Sequence, residues 1–157
     1  MLPAFISISN DYYVYFSALF DEFIEAGNMR QKEKRGNLVS QIQDRIEKEL
    51  GNPALNSQSL ADHFSLSSAY LSRVFRQETS TSLTDYINRK RIERAQELLK
   101  EQDLLIKDIT MQTGFSTEKY FYVVFRKITG ITPKQYREDP TSVPAPNILS
   151  SLKTDDL

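Results

Sequence analysis

The side chains available for chemistry in this sequence are charges and hydrogen-bond donors rather than nucleophiles or metal ligands. The 157 residues include no cysteine and one histidine, His63, which excludes disulfides, thiol nucleophiles and zinc sites built on cysteine or paired histidines. No carboxylate pair and no nucleophile–base set stands out. His63 follows Asp62 on a short predicted helix and is expected to be a surface or half-buried imidazole. We therefore predict a protein that is not an enzyme and needs no metal or cofactor.

Two groups of side chains are of the types that contact duplex DNA. In the first, Arg73 could donate two hydrogen bonds to guanine O6 and N7, Ser72 could donate to a base or a phosphate, and Ala69 could meet a thymine methyl. In the second group, which lies 50 residues later, Val123 stands at the position equivalent to Arg73 and can neither donate to a base nor neutralise a phosphate. Together with Tyr122 it leaves an apolar spot that could serve another partner. The candidate DNA-binding residues are Ser68, Ala69, Ser72, Arg73, Arg76, Thr117, Lys119, Tyr122, Val123 and Arg126.

An internal repeat contains both groups. Tyr70, Leu71, Val74, Phe75, Arg76, Thr79 and Tyr86 recur 50 positions later as Tyr120, Phe121, Val124, Phe125, Arg126, Thr129 and Tyr136. The apolar members are spaced by three or four residues, which indicates amphipathic helices. At this spacing the rings of Tyr70, Phe75, Tyr120, Phe121 and Phe125 are expected to lie in the core rather than to stack on bases. The sequence thus predicts the same helix, turn, helix unit twice.

Caps and breaks delimit the helices around this repeat. We expect helix N-caps at Asn56, Ser67, Ser116 or Thr117, and Thr132, and helix ends at Gly51 and Gly114. A long helix over residues 82–100 joins the two units. Its roughly 28 Å is comparable to the ~34 Å between successive major-groove faces on one side of B-DNA. The predicted fold class is all-α, with two helix-turn-helix subdomains joined by a linker helix and preceded by a short strand and helix.

The two ends of the chain differ in composition from the middle. Residues 5–9 alternate as a strand would, Asn10 or Asp11 could cap a helix, and residues 27–36 read as a charged linker. The tail contains three prolines and is predicted to be disordered. We expect an N-terminal segment at 1–36, a DNA-binding domain at 37–139 and a disordered tail at 140–157. Within the domain, the helix-turn-helix units lie at about 56–78 and 105–129.

The N-terminal helix has an apolar face that needs a cover, formed by Phe16, Leu19, Phe20, Phe23 and Ile24. It could fold on the DNA-binding domain, pair with a second copy or belong to an upstream domain, and we favour the remnant of a sensor or dimerisation region. A membrane-surface helix is disfavoured, because Asp21, Glu22 and Glu25 would face anionic lipid. The sequence has neither an apolar run of about 18 residues nor the order of a secretion signal, so a cytoplasmic protein is expected.

Net charge argues weakly against a nucleic-acid partner, since the formal value is -1. Before residue 37 there are four basic and five acidic residues, and after residue 140 one basic and two acidic. Of the totals of 20 and 21, 15 basic and 14 acidic residues remain for the middle. Any DNA site must therefore be a local basic patch.

The middle of the chain resembles the AraC family of transcription regulators. Its first unit matches at residues 60–76, LADHFSLSSAYLSRVFR, and the linker helix at Arg91-Ile92, Ala95 and Leu98-Leu99. The second unit matches over residues 106–127 and then at Gly130, Thr132-Pro133 and Tyr136-Arg137. Val123 departs from the pattern, because the family usually has a basic residue there.

The resemblance implies an all-helical domain that binds an asymmetric or directly repeated double-stranded DNA site, usually to activate transcription. It also implies RNA polymerase as a partner and a sensor or dimerisation region elsewhere in the full protein; relatives with this ending often follow a membrane sensor or a receiver domain. The alternative is a protein-interaction module, an anti-activator whose second unit has lost its DNA contacts.

Overall fold

The structure, a computed structural model, describes residues 4–101 and 103–141, with side chains at residues 19, 20, 22–101 and 103–141. These residues form seven helices and no strand, so the predicted all-α class is confirmed. The helices are α1 (Ala4–Glu49), α2 (Ser57–His63), α3 (Ser68–Thr79), α4 (Leu83–Leu99), α5 (Ile106–Gln112), α6 (Glu118–Thr129) and α7 (Pro133–Glu138). Of the predicted disordered tail, residues 142–157 lie outside the described part of the chain.

The N-terminal predictions of a strand, a helix cap near residue 10 and a charged linker are wrong, because α1 runs unbroken through all three. A five-residue alternation is too short to outweigh helix formation, since an isolated strand leaves its backbone groups unpaired whereas a helix pairs them internally. Gly27 and Gly36 each weaken a helix by about 1 kcal/mol, which does not break one of this length. A Cβ atom added at either glycine would meet nothing within 4 Å.

The chain divides into two compact units, Met1–Gln41 and Ile42–Leu157, with the boundary inside α1. In the first unit, the described part of the predicted apolar face is exposed. Phe20 is 66% exposed and Phe23 79%, and Leu19, Ile24 and Met29 are exposed too. No helix among the described residues is both long enough and apolar enough to cross a membrane.

The second compact unit, Ile42–Leu157, contains both helix-turn-helix halves of the repeat, and α4 contributes to the core of each. In the first half α2 packs on α3 and α3 on α4, and the buried residues there include Leu60, Leu71, Val74, Phe75 and Ile87. In the second half one apolar cluster joins α4 to α5, α6 and α7, and its members are Ile92, Ala95, Leu98, Leu99, Ile109, Phe115, Phe121, Val124, Phe125 and Tyr136. The predicted linker helix is confirmed, since Ser82 caps the start of α4 and Lys100 its end.

The repeat extends to the backbone hydrogen bonds of the turns. Between α2 and α3, the N–H of Leu66 donates to the carbonyl of Ala61 at 2.9 Å, and between α5 and α6 Phe115 donates to Thr110 at 3.1 Å. At the last residue of the second helix of each helix-turn-helix unit, the hydroxyl of Thr79 donates to the carbonyl of Phe75, as Thr129 does to Phe125. The two units are thus the same structural motif, as the sequence repeat predicted.

Candidate nucleic-acid interface

Helix α3 presents the first candidate group on its outward face. The hydroxyl of Ser67 accepts the backbone N–H of Tyr70 at 3.2 Å and so caps the helix start. Leu71, Val74 and Phe75 are buried with at most 1% exposure, which fixes the rotation of the helix about its axis. Of the predicted contact residues, Ala69, Arg73 and Arg76 are exposed, and Ser68 and Ser72 are half-buried.

The prediction that the Tyr70 ring lies in the core is wrong, because Tyr70 is 37% exposed. At 100° per residue it lies at the edge of the buried arc that Leu71, Val74 and Phe75 define, so its ring can turn outward. The guanidinium carbon of Arg73, one turn later, lies 5.6 Å from the centre of this ring. A cation–π contact of this kind stabilises an exposed pair by about 0.5–1 kcal/mol, and it restrains the Arg73 side chain on the outward face of α3.

Helix α6 presents the second group in the same way. Thr117 accepts the backbone N–H of Tyr120 at 3.3 Å, so its hydroxyl is engaged in capping. Phe121, Val124 and Phe125 are buried, and the predicted contact residues Lys119, Val123 and Arg126 are exposed. Val123, at the place of Arg73, is 60% exposed. The outward face of α6 therefore has an apolar centre where α3 has a cation.

Tyr122 is not fully exposed as expected, but half-buried against the second core cluster. Its ring meets Phe121 edge-on, with the centroids 6.1 Å apart. Burial raises the pKa of the Tyr122 phenol above its ordinary 10.0, and the Glu118 carboxylate acts in the same direction. The predicted apolar spot of Tyr122 and Val123 therefore reduces to Val123.

Tyr120 is the second predicted core ring that lies at the surface, with 48% exposure. Its hydroxyl accepts a hydrogen bond from Nδ2 of Asn88 on α4 at 3.3 Å, and its ring lies 5.9 Å from that of Phe115. Tyr70 and Tyr120 are equivalent in sequence but differ in role, because one lies under an arginine of its own helix and the other joins α6 to α4.

The exposed cations on α3 and α6 have no carboxylate partner among the described residues. Among the described residues, ion pairs are found on α1 and α4 instead, where they join Arg45 to Glu49, Lys90 to Glu47 and Glu93, and Arg94 to Glu97. The cations of Arg73, Arg76, Lys119 and Arg126 are therefore available to phosphate or to base edges. No cluster of metal-ligating side chains is found in the described part of the chain.

Two residues of α4 that the sequence does not connect with the site bind to other elements of the fold. Asn88 reaches Tyr120, 32 residues away, and Arg91 donates to the carbonyls of Leu50 and Asn52, about 40 residues away. In the sequence, Arg91 stands out only as part of the linker-helix pattern. No local signal gives its partners, because they are backbone oxygens on another element.

Comparison with known proteins agrees with this geometry. A family model described as a helix-turn-helix domain matches residues 60–139. The transcriptional regulatory protein YesN of Bacillus subtilis is 36% identical over 103 residues, which are 64% of this chain and 28% of YesN. The transcriptional activator RhaR of Escherichia coli K12 is 42% identical over 76 residues, which are 48% of this chain and 27% of RhaR. The chain thus spans well under half the length of these relatives.

A solved structure supports the same assignment. The C-terminal domain of the two-component response regulator YesN from Fusobacterium nucleatum superposes with a TM-score of 0.62 at 37% identity. The match covers 64% of this chain and 98% of that domain. The chain therefore belongs to the AraC family of helix-turn-helix transcription regulators, which are DNA-binding proteins and not enzymes.

Proposed function

We propose that this chain binds double-stranded DNA in a sequence-specific way, by inserting α3 and α6 into successive major grooves. One observation supports this most: each half of the repeat turns a helix with carboxylate-free cations outward, and a single helix, α4, contributes to both cores. At 1.5 Å per residue, the 17 residues of α4 span about 26 Å. This length suits readers placed one turn of B-DNA apart, about 34 Å.

The two readers contribute unequally in this proposal. On α3, Arg73 donates to guanine, Ala69 meets a thymine methyl, and Ser68, Ser72 and Arg76 contact bases or phosphates. On α6, Lys119 and Arg126 neutralise phosphate, whereas Val123 offers only an apolar contact. The remaining members of this proposed set are Thr117 and Tyr122, whose hydroxyls lie near the start and on the flank of α6.

The chain is the DNA-binding part of a longer regulator in this proposal, with residues 37–139 as its DNA-binding domain and residues 1–36 leading from a sensor, receiver or dimerisation region. RhaR is named an activator and the Fusobacterium YesN a two-component response regulator. By analogy with RhaR, we infer that this regulator activates transcription. We further propose, from the family resemblance, that it does so in the cytoplasm through RNA polymerase.

A titration of duplex DNA against salt concentration tests the proposal. Binding sites are first selected from random duplex DNA with the purified chain, and the affinity for the selected site is then measured over a range of salt. With about four to eight phosphate contacts, the slope of log K against log salt should lie at about -4 to -7. A slope near zero, or no binding at low salt, would refute DNA binding.

That negative outcome would favour the second candidate, a protein-interaction module. The observation in its favour is the exposed Val123 at the centre of the α6 surface, with Ile128, 41% exposed, on the same helix. Such a module would act as an anti-activator through a partner regulator.

A further inference from the structure

Arg91 lies at the midpoint of α4 and is buried, with 6% of its surface exposed. Its Nε donates to the carbonyl of Leu50 at 3.2 Å and its Nη2 to the carbonyl of Asn52 at 2.8 Å. Both carbonyls belong to the turn that follows α1, which ends at Glu49. Burial lowers the pKa of Arg91, but a guanidinium stays protonated in proteins, so the cation joins α4 to the end of α1.

The turn of the second helix-turn-helix unit closes directly over this guanidinium. The backbone of Gly114 has a φ of +79°, and a Cβ added there would lie 2.4 Å from the carbonyl oxygen of Leu50 and 3.0 Å from Nε and Nη2 of Arg91. The next residue, Phe115, places its ring centroid 5.7 Å from the guanidinium carbon. We call Leu50, Asn52, Arg91, Gly114 and Phe115 the Arg91 junction.

The junction continues into the start of α6. Phe115 packs edge-on against Tyr120 in the first turn of that helix, and the Tyr120 hydroxyl accepts from Asn88, one turn before Arg91 on α4. At the equivalent place in the first unit, Tyr70 instead lies beside Arg73 of its own helix. The contacts through Asn88 and the Arg91 junction therefore connect α6, and not α3, to the centre of α4.

We propose that Arg91 is a positioning residue that fixes α6 relative to α3 and thereby sets the spacing between two DNA half-sites. The first unit already packs on α4 through α3, so the position of α6 on α4 determines the distance and rotation between the readers. This inference rests on the proposed DNA binding. It predicts that loss of the guanidinium relaxes the spacing requirement more than it weakens the first half-site.

The experiment uses the full chain with Arg91→Met, which keeps an unbranched side chain and removes the donors and the charge. The control is Arg94→Met, the same change at an exposed arginine of α4 that pairs with Glu97. The duplexes are the site selected by the unaltered chain, the same site with two base pairs inserted or deleted between the half-sites, and the first half-site alone.

For the unaltered chain and for Arg94→Met, a two-base-pair change should weaken binding by about tenfold or more, because it rotates one half-site by roughly 70° about the duplex axis. For Arg91→Met this penalty should fall below about threefold, because a loosely held second reader tolerates several geometries. Affinity for the first half-site alone should stay within about threefold of the unaltered value, since none of the five junction residues lies on α3.

A second variant, Asn88→Ala, keeps the experiment decisive if Arg91→Met does not fold. It removes only the hydrogen bond to Tyr120, at a position where alanine suits the helix, and should reduce the spacing penalty by a smaller factor. Variants that fold and retain the full penalty would overturn the positioning role while DNA binding stands. An unaltered chain that binds no duplex would refute the proposed function itself, and the inference with it.

Discussion

Substitutions at the equivalent positions 73 and 123 should affect DNA binding unequally. Arg73 is exposed on α3 and lies beside the Tyr70 ring, so it presents two donors at a defined place. Loss of a bidentate contact with guanine in Arg73→Ala should weaken binding by about 1–3 kcal/mol, or roughly 5- to 150-fold. It should also relax the base preference at one or two positions of the site.

Val123→Ala should have a smaller effect, because Val123 is already 60% exposed and offers only methyl groups. Contact of one of these methyl groups with a thymine contributes about 0.8 kcal/mol, so its loss should change the affinity by about fourfold. Val123→Arg adds a cation and should tighten binding to many sequences, with a salt slope steeper by about one.

These variants are compared by fluorescence titration on the selected site and on one shuffled duplex, at two salt concentrations. Arg94→Ala, which removes the same charge from the linker, controls for the change in net charge. Arg73→Ala should reduce the difference in affinity between the two duplexes, whereas Val123→Arg should strengthen binding to both. The asymmetry is refuted if Val123→Ala is as damaging as Arg73→Ala, or if Val123→Arg abolishes binding through a clash.

Three further predictions concern the scaffold. Glu93→Pro should destabilise α4 by about 3 kcal/mol and uncouple the two recognition helices, whereas Glu93→Ala should do neither. If the proline variant is folded by circular dichroism and binds the same site equally well, simultaneous engagement of two grooves is refuted. Gly114→Ala should lower the free energy of unfolding by roughly 2–5 kcal/mol, because Gly114 has a φ of +79° and an added Cβ would clash with the Leu50 carbonyl. Gly36→Ala, in open space within a helix, should instead raise the free energy of unfolding by about 0.5–1 kcal/mol. Equal effects of the two substitutions in urea unfolding would contradict this. Burial raises the pKa of the Tyr122 phenol above 10.0. The contribution of the neutral phenol to stability is therefore complete below pH 10 and is lost as pH rises through the higher pKa of the folded state. Tyr122→Phe should make the alkaline loss of stability shallower, and an unchanged pH profile would count against the burial of Tyr122.

Features of the fold that depend on neighbouring residues could be predicted from the sequence. The N-caps at Asn56, Ser67 and Thr132 are confirmed by hydrogen bonds to residues two or three positions later. The repeat also places Phe75 and Phe125 correctly in the two cores. Such features are predictable because caps and helical periodicity act within one or two turns.

Features that depend on distant partners could not be predicted. Tyr120 lies at the edge of its apolar arc, where periodicity does not distinguish core from surface, and its hydroxyl accepts from Asn88, 32 residues away. Tyr70 has the same edge position, and there periodicity fails even though its partner Arg73 lies only one turn away. The junction of Arg91 with the end of α1 likewise requires the folded backbone. The strand predicted at residues 5–9 fails for a related reason, since a strand exists only with a partner strand.

Methylation interference at guanine N7 on the selected site tests the central claim, the simultaneous use of two major grooves, most directly. N7 lies in the major groove, so methylated guanines that prevent binding mark where the recognition helices insert. Two clusters of interfering positions on one face of the duplex, about 10 base pairs apart, are predicted, with the stronger cluster lost in Arg73→Ala. A single cluster, unchanged by Glu93→Pro, would contradict the account.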